Sequence, residues 1–221
     1  MEQLVLALVA FVGSHELLSH PLRKPVTDRI GVVAFQGLYS LIALGTFAWV
    51  VMAFRAAPVE VLWVAPDWVW TAGSLVMLAA SILFAGAFVA PNPSLNMMGG
   101  ALVKHPLPQG VLRITRHPML WSFGLWALVH AAVAGTTAVV LLSAAMGFLS
   151  LFGAKMLDGK KQRQLGAGWV AFEAATAFVP FGRGFALPGW KATIGGILVF
   201  LGATWLHPRL GAPVVGIWEY L

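Results

Sequence analysis

The chain has 221 residues, of which 59% are hydrophobic and 10% are charged, and its mean hydropathy is +0.84. Soluble domains carry about a quarter charged residues, so this composition excludes a soluble globular protein. The net charge of +6 does not indicate nucleic-acid binding, because the basic residues lie mainly in short segments between apolar stretches. Cysteine is absent, which excludes disulfides, thiolate haem ligation and cysteine-based zinc or iron–sulfur sites.

Six apolar segments are close to the length of transmembrane helices, which need about 20 residues each. Because lipid offers no partners to backbone N–H and C=O groups, each segment must be helical. We therefore predict an all-α polytopic transmembrane bundle, with one domain over residues 1–221 and the lipid bilayer around it. The first segment lacks a basic leader and a cleavage signal, so we expect a retained helix. The predicted spans are Leu4–Pro21, Ile30–Phe54, Trp68–Ala90, Pro118–Ala134, Thr136–Leu157 and Trp190–Leu206.

The loop charges predict the orientation of these helices. Of the basic residues, the loops after the second and fourth spans hold only Arg55, and the C-terminal tail holds only Arg209. The positive-inside rule then places both termini on the periplasmic side of a bacterial inner membrane. The loops after the first, third and fifth spans hold most basic residues, namely Arg23, Lys24, Arg29, Lys104, Arg113, Arg116, Lys160, Lys161, Arg163 and Arg183.

Four of the six histidines precede a proline, at the edge of a span or in a loop: His20, His105, His117 and His207. Proline is favoured in the first turn of a helix, so a polar residue before it is a natural cap. We expect His20, His105 and His207 to be interfacial polar residues rather than metal ligands.

His15 and His130 lie well inside apolar spans, where an ionisable side chain is costly and indicates function. Each histidine could instead form an interhelical hydrogen bond. Two of them on different helices, without cysteine, favour a shared ligand, and neutral imidazole is a common axial ligand of haem iron. Zinc is less favoured, because a closed zinc site needs four protein ligands and the chain has few carboxylates. We therefore predict His15 and His130 as metal ligands of a haem.

The surroundings of these histidines are also informative. Helical phase places Met119, Phe123, Trp126 and His130 on one face, which would form either an aromatic wall beside a porphyrin or ordinary core packing. Glu16 is a second ionisable residue at depth. It either pairs with a histidine or a basic residue, or remains protonated or reaches the interface.

The segment 110–119, GVLRITRHPM, precedes a tryptophan-containing helix that reaches His130. GSHEL at 13–17, GLYSLIAL at 37–44 and FGAKMLDGKK at 152–161, running on to VPF at 179–181, extend the pattern over residues 13 to 181. Together these segments resemble the NnrU family and its plant and cyanobacterial relative, 15-cis-zeta-carotene isomerase.

This resemblance implies a haem b membrane protein whose axial ligands match His15 and His130. It also implies a redox-dependent cis–trans isomerase, in which these two histidines serve catalysis and a conjugated polyene such as 15-cis-zeta-carotene is the substrate. If a haem is bound, Arg113, Arg116, Arg23 and Lys24 could pair with its propionates at the cytoplasmic edge, unless they serve only as loop charges that set the topology. Tyr39 would donate to a ligand or to Glu16, or simply pack.

Two alternatives remain open at this point. NnrU proteins are associated with nitric oxide and denitrification, so a haem could serve nitric oxide sensing or electron transfer without catalysis. Arg116-His117-Pro118 at the start of a helix also resembles membrane methyltransferases of the isoprenylcysteine and phospholipid type, where it contributes to S-adenosylmethionine binding. Those enzymes carry a Glu-Glu pair where this chain has Asp158-Gly-Lys-Lys-Gln. The substrate, redox partner and oligomeric state are not determined by the sequence.

Overall fold

The computed structural model describes residues 1–95 and 107–219, and the regular elements within that part are helical. A single isolated β-bridge joins Val61 and Thr136 there. The all-α fold class is therefore confirmed, whereas Lys104 and His105 lie outside the described residues. The eight α-helices of the described part are α1 Glu2–Ser19, α2 Arg23–Ile30, α3 Val32–Ala56, α4 Asp67–Val89, α5 Pro118–Ala134, α6 Thr137–Leu165, α7 Ala167–Ala175 and α8 Trp190–Leu206.

Each of the six predicted spans corresponds to one of these helices. The boundaries agree within two residues, except that α6 continues past the predicted end at Leu157 to Leu165. Four helices, α1, α3, α4 and α6, are long and apolar enough to cross a membrane. Helices α5 and α8 are apolar but have 17 residues each, or about 26 Å, against a hydrocarbon core of roughly 30 Å. The apolar helices indicate a membrane protein, and the number of six spans stays a prediction.

Large apolar side chains on α3 point away from the rest of the chain. Val33 is 83% exposed, Leu41 71% and Leu44 65%. In water, a continuous face of this kind would be a site of association or aggregation. The same face suits contact with lipid acyl chains, which agrees with the hydropathy of this helix.

The helices pack closely around α4, whereas α1 and α3 form a pair at the side of the bundle. Helix α4 packs against α5 and α8, and α5 packs against α6. A Cβ on Gly196 of α8 would lie only 2.6 Å from the backbone nitrogen of Ile82 in α4, so glycine permits this close approach. Helix α1 pairs with α3 and contacts α6 along one side, where Leu4, Leu8 and Phe11 are buried.

Loop contacts hold the two ends of α5. Beyond its C-terminus, the carbonyl of Gly135 accepts from the backbone N–H of Leu62 at 2.7 Å. Before its N-terminus, the backbone N–H of Arg116 donates to the carbonyl of Ala177 at 2.9 Å. The segment that follows α7 therefore packs against the segment that precedes α5, and together they position the functional residues at that end.

Candidate functional site

A cavity of about 470 Å³ lies between α1, α3, α5 and α6. Its wall is mostly apolar and includes Phe11, Phe123 and Leu149. A concave, apolar site with a few polar groups is the usual form of a small-molecule site. Six ionisable side chains line it as well: His15, Glu16, His20, Tyr39, His117 and Lys160.

His15 is held by one backbone carbonyl and two aromatic rings. Its Nδ1 lies 2.7 Å from the carbonyl oxygen of Phe11, one turn earlier on α1, and donates its proton there. The centre of the His15 ring lies 4.3 Å from that of Phe11 and 5.5 Å from that of Tyr39, whose ring is nearly perpendicular to it. Because Nδ1 carries the proton, Nε2 keeps a lone pair, and this is the arrangement found in metal-ligating histidines.

His130 has the same local hydrogen bond in a different place. Its Nδ1 lies 2.9 Å from the carbonyl oxygen of Trp126, and its ring stacks on the Trp126 ring at 4.1 Å. The ring of His207 lies 6.2 Å away, edge-on. His207, which we expected only at the membrane interface, is thus a neighbour of a predicted ligand.

The fold does not bring His15 and His130 to one cavity. His130 is not among the described residues that line the cavity around His15. Phe123 is the last residue of α5 in the cavity wall, and His130 lies seven residues further, or about 10 Å along the helix. The ligand pair stays a prediction, and His15 is the member that the cavity geometry supports.

A buried ion-pair network lies at the N-terminus of α5. Arg116 donates from Nε and Nη2 to the carboxylate of Asp158 at 3.0 and 2.7 Å, and His117 Nε2 donates to the same carboxylate at 2.7 Å. Nη2 of Arg116 also lies 3.4 Å from Glu173 on α7. A two-pronged arginine–carboxylate pair with further hydrogen bonds compensates buried charges well. The network therefore joins α5, α6 and α7.

The segment that follows α4 is tied to this network. The hydroxyl of Ser94 donates to the backbone carbonyl of Arg116. Nζ of Lys161 donates to the backbone carbonyl of Leu95 at 3.2 Å. These contacts fix the wall of the cavity between the end of α4 and the basic end of α6.

The other predicted ligand-binding residues have protein partners or face outward. Arg113 is exposed at the end of the 3₁₀ turn Gly110–Arg113. Arg116 donates to protein carboxylates, as described above, so its propionate role and that of Arg113 stay predictions. The hydroxyl of Tyr39 lies 3.4 Å from the hydroxyl of Ser19. Its observed partner is therefore Ser19 rather than Glu16.

Positive charge collects at one end of the cavity. Lys160 lines the cavity, is only 8% exposed and interacts electrostatically with Arg23. His20, just after α1, lies 3.4 Å from Glu16. Burial, with the charges of Lys160 and Arg163, holds the pKa of His20 below its ordinary value. This end of the bundle is the one that the loop charges predict to face the cytoplasm.

Sequence reasoning missed Asp158, Glu173 and Lys160 as parts of the site, and it placed His20 only at the interface. A signal for Asp158 was present, because small and polar residues recur at helical spacing on α6 and lead to this carboxylate. The recurring residues are all buried: Ser143, Ser150, Ala154, Asp158 and Lys161.

The sequence of this chain is similar to those of known proteins. The Arabidopsis thaliana protein 15-cis-zeta-carotene isomerase, chloroplastic, is 31% identical over 100 residues, which is 42% of this chain and 26% of that protein. The match thus spans about a quarter of the length of that relative. No solved structure matches the chain. The family model described as NnrU protein matches residues 3–214, so the chain belongs to the NnrU family.

Proposed function

We propose that this protein is an integral membrane haem b protein that catalyses redox-dependent cis–trans isomerisation of a conjugated polyene, such as 15-cis-zeta-carotene. The observation that carries the proposal is the apolar cavity between helices, with the Nε2 lone pair of His15 available at its wall. The likeness to an enzyme named as a 15-cis-zeta-carotene isomerase supports the reaction type.

The donor set at the cavity fits a haem on the His15 side. His15 has its ring fixed by Phe11 and Tyr39, and its Nδ1 proton is already committed. The mostly apolar wall suits both a porphyrin and a hydrocarbon chain. His130 has an equally fixed ring, so it remains the second predicted ligand, to be tested separately from His15.

The residues of the cavity have separable roles in this proposal. His15 would hold the iron of a bound haem, and Phe11 and Phe123, which line the same cavity, would contact an apolar ligand. A bound haem would supply a redox-active iron that can weaken a conjugated double bond enough for rotation.

We further propose that the basic end of the cavity faces the cytoplasm and that both termini are periplasmic in a bacterial inner membrane. Lys160 and Arg23 lie together at this end, and Lys161 and Arg163 follow on the same helix. The clustering supports the orientation expected from the positive-inside rule.

Two measurements test the proposal. Detergent-purified protein should show a Soret band, with sharp α and β bands after reduction. Expression in a host that accumulates cis-carotenes should change the isomer composition. A haem-loaded protein that leaves the isomers unchanged would instead be a non-catalytic haem protein, of the kind suited to nitric oxide or electron transfer, and a protein without haem would refute the cofactor.

Histidine variants test the ligands. His15→Ala should abolish or shift the Soret band, because His15 is, among the described histidines of the cavity wall, the one whose Nε2 has no protein partner. His130→Ala should do the same if both histidines bind the iron, and should leave the spectrum unchanged if His15 alone does. If the haem content is unchanged in each of the two single variants, neither His15 nor His130 is a haem ligand.

The methyltransferase alternative receives no support from the described residues. It needs Arg116 and His117 to bind S-adenosylmethionine, whereas both donate to Asp158. Arg116 also reaches Glu173. A colourless protein that retains S-adenosylmethionine after purification would reverse this conclusion.

A further inference from the structure

Lys160 is a buried cation without a protein partner in the described part of the chain. Its exposed fraction is 8%, and it lines the cavity. Hydrogen bonds and ion pairs among the described residues include the neighbouring Lys161 but not Lys160. Burial of an ammonium group without a counter-ion is strongly unfavourable. An anion at this position would remove that cost.

The chain offers few carboxylates for this role. It has eight acidic residues, and none of them lies between residues 96 and 106. Asp158, two residues before Lys160, is held by Arg116. Glu16 lines the same cavity, but its carboxyl group contacts His20, at 3.4 Å. The counter-ion of Lys160 is therefore expected from outside the described protein atoms.

Two histidines of the same cavity are poor candidates for binding an anion. Nδ1 of His20 and Nδ1 of His117 are buried without a hydrogen-bond partner among the described residues. Both side chains line the cavity with Lys160. Because neither Nδ1 is accessible to a water-sized atom, Lys160 is the group that can meet the ligand.

We propose that Lys160 forms a subsite for the carboxylate of an amphipathic ligand whose apolar body fills the cavity. One carboxylate balances the single ammonium charge and accepts a hydrogen bond from it. The mostly apolar wall excludes a small hydrophilic anion as the preferred occupant. Two sources share this chemistry, a porphyrin propionate and a long-chain fatty acid, and only the first rests on the proposed function.

Binding to the wild-type protein tests the subsite without any substitution. Haem b is compared with its dimethyl ester, which keeps the iron and porphyrin but lacks both negative charges. Hexadecanoic acid is compared with hexadecanol in the same detergent. We expect the carboxylate form to bind about tenfold more tightly in at least one pair, because hydrogen bonds between charged groups are strong. Equal affinities within both pairs would overturn the proposal.

Substitutions then locate the effect. Lys160→Met keeps the length of the side chain and removes its charge, so the preference for the carboxylate should fall to within about twofold. Lys160→Arg should retain the preference. Lys155→Met is the matched control, because Lys155 is an exposed lysine on the same helix. A preference that persists in Lys160→Met, or that is lost equally in Lys155→Met, would refute the role of Lys160.

The two ligand pairs also separate this inference from the proposed function. Fatty-acid preference without any haem binding supports the subsite and refutes the haem proposal. Equal binding of haem and its ester, with no fatty-acid preference, refutes the subsite and leaves the haem proposal intact.

Discussion

Helices α4 and α8 approach so closely that Gly196 lies against the backbone of Ile82, whereas α1 and α3 leave a cavity of about 470 Å³ between themselves and α5 and α6. We call the part of the bundle around the cavity the open side and the α4–α8 contact the close side. His15, Glu16 and Lys160, which are ionisable, lie on the open side. Lipid provides no hydrophobic drive between helices, so close packing is what stabilises the α4–α8 pair. The open side gives up such packing, and this is where a ligand can bind.

The largest effect is expected at the network that supports the open side. Arg116→Ala removes the guanidinium from Asp158 and Glu173 and leaves the buried carboxylate of Asp158 with the hydrogen bond from His117 alone among the described residues. Breaking a buried pair in this way costs about 3–5 kcal/mol, so the variant should unfold at a much lower temperature or fail to accumulate. Thermal unfolding of the detergent-purified protein measures the change.

Arg113→Ala is the control for this substitution, because Arg113 is exposed and three residues away. Its effect on the free energy of unfolding should be within about 0.5 kcal/mol. Arg116→Lys should lie between the two, since lysine keeps the charge but cannot form the two-pronged pair. Equal stability of Arg113→Ala and Arg116→Ala would mean that the network contributes little.

A smaller loss is expected on the close side. Gly196→Ala places a methyl group 2.6 Å from the backbone nitrogen of Ile82, and a backbone atom cannot move aside as a flexible side chain can. Overpacking of this kind costs about 1–3 kcal/mol. Gly202→Ala on the same helix has no atom within 4 Å of its new methyl group. It should be neutral or stabilising, and an equal loss in both variants would show that packing against α4 is not the cause.

Filling the open side should change binding more than stability. Gly153 lies in the cavity wall, and the nearest atom to a new Cβ is an oxygen of Glu16 at 4.0 Å. Gly153→Leu should therefore alter the free energy of unfolding by less than about 1 kcal/mol, since leucine is also a better helix former. The same variant should lose haem or polyene binding, as judged by absorption after purification. Unchanged pigment binding would place the ligand elsewhere.

The sequence was sufficient to predict the helices but not their arrangement. Apolar length placed all six long helices, because an apolar segment in lipid has to be helical. The extension of α6 to Leu165 was missed, since Asp158, Lys160 and Lys161 look like a loop until Arg116 and the cavity are known. Charge in a sequence does not show which partner neutralises it.

The site was predicted only in part for a similar reason. Depth in an apolar span identified His15, and depth is a property that one segment reveals. Whether His130 shares a ligand with it depends on the stagger between α1 and α5, which no single segment encodes. The position of His20 at the cavity was missed because it arises from the packing of α1 on α6.

The smallest effect is on the pH dependence of stability. It distinguishes the two causes of the His20 pKa shift, which are burial and repulsion by neighbouring positive charges. Burial, with the charges of Lys160 and Arg163, lowers the pKa of His20 in the folded protein from its ordinary value of 6.5. The unfolded chain therefore binds more protons in that range, so the stability that neutral His20 contributes is present above pH 6.5 and is lost as the pH falls toward the lower folded pKa.

His20→Gln should accordingly flatten the dependence of unfolding on pH between about 7 and 5. Added salt should reduce the part that arises from Arg163, which is exposed, because exposed charges separated by more than about 10 Å are screened at 0.1 M salt. The part that arises from burial should persist in salt. A wild-type pH slope that salt abolishes would assign the shift to repulsion alone. A slope that is identical in His20→Gln would mean that His20 does not titrate in this range.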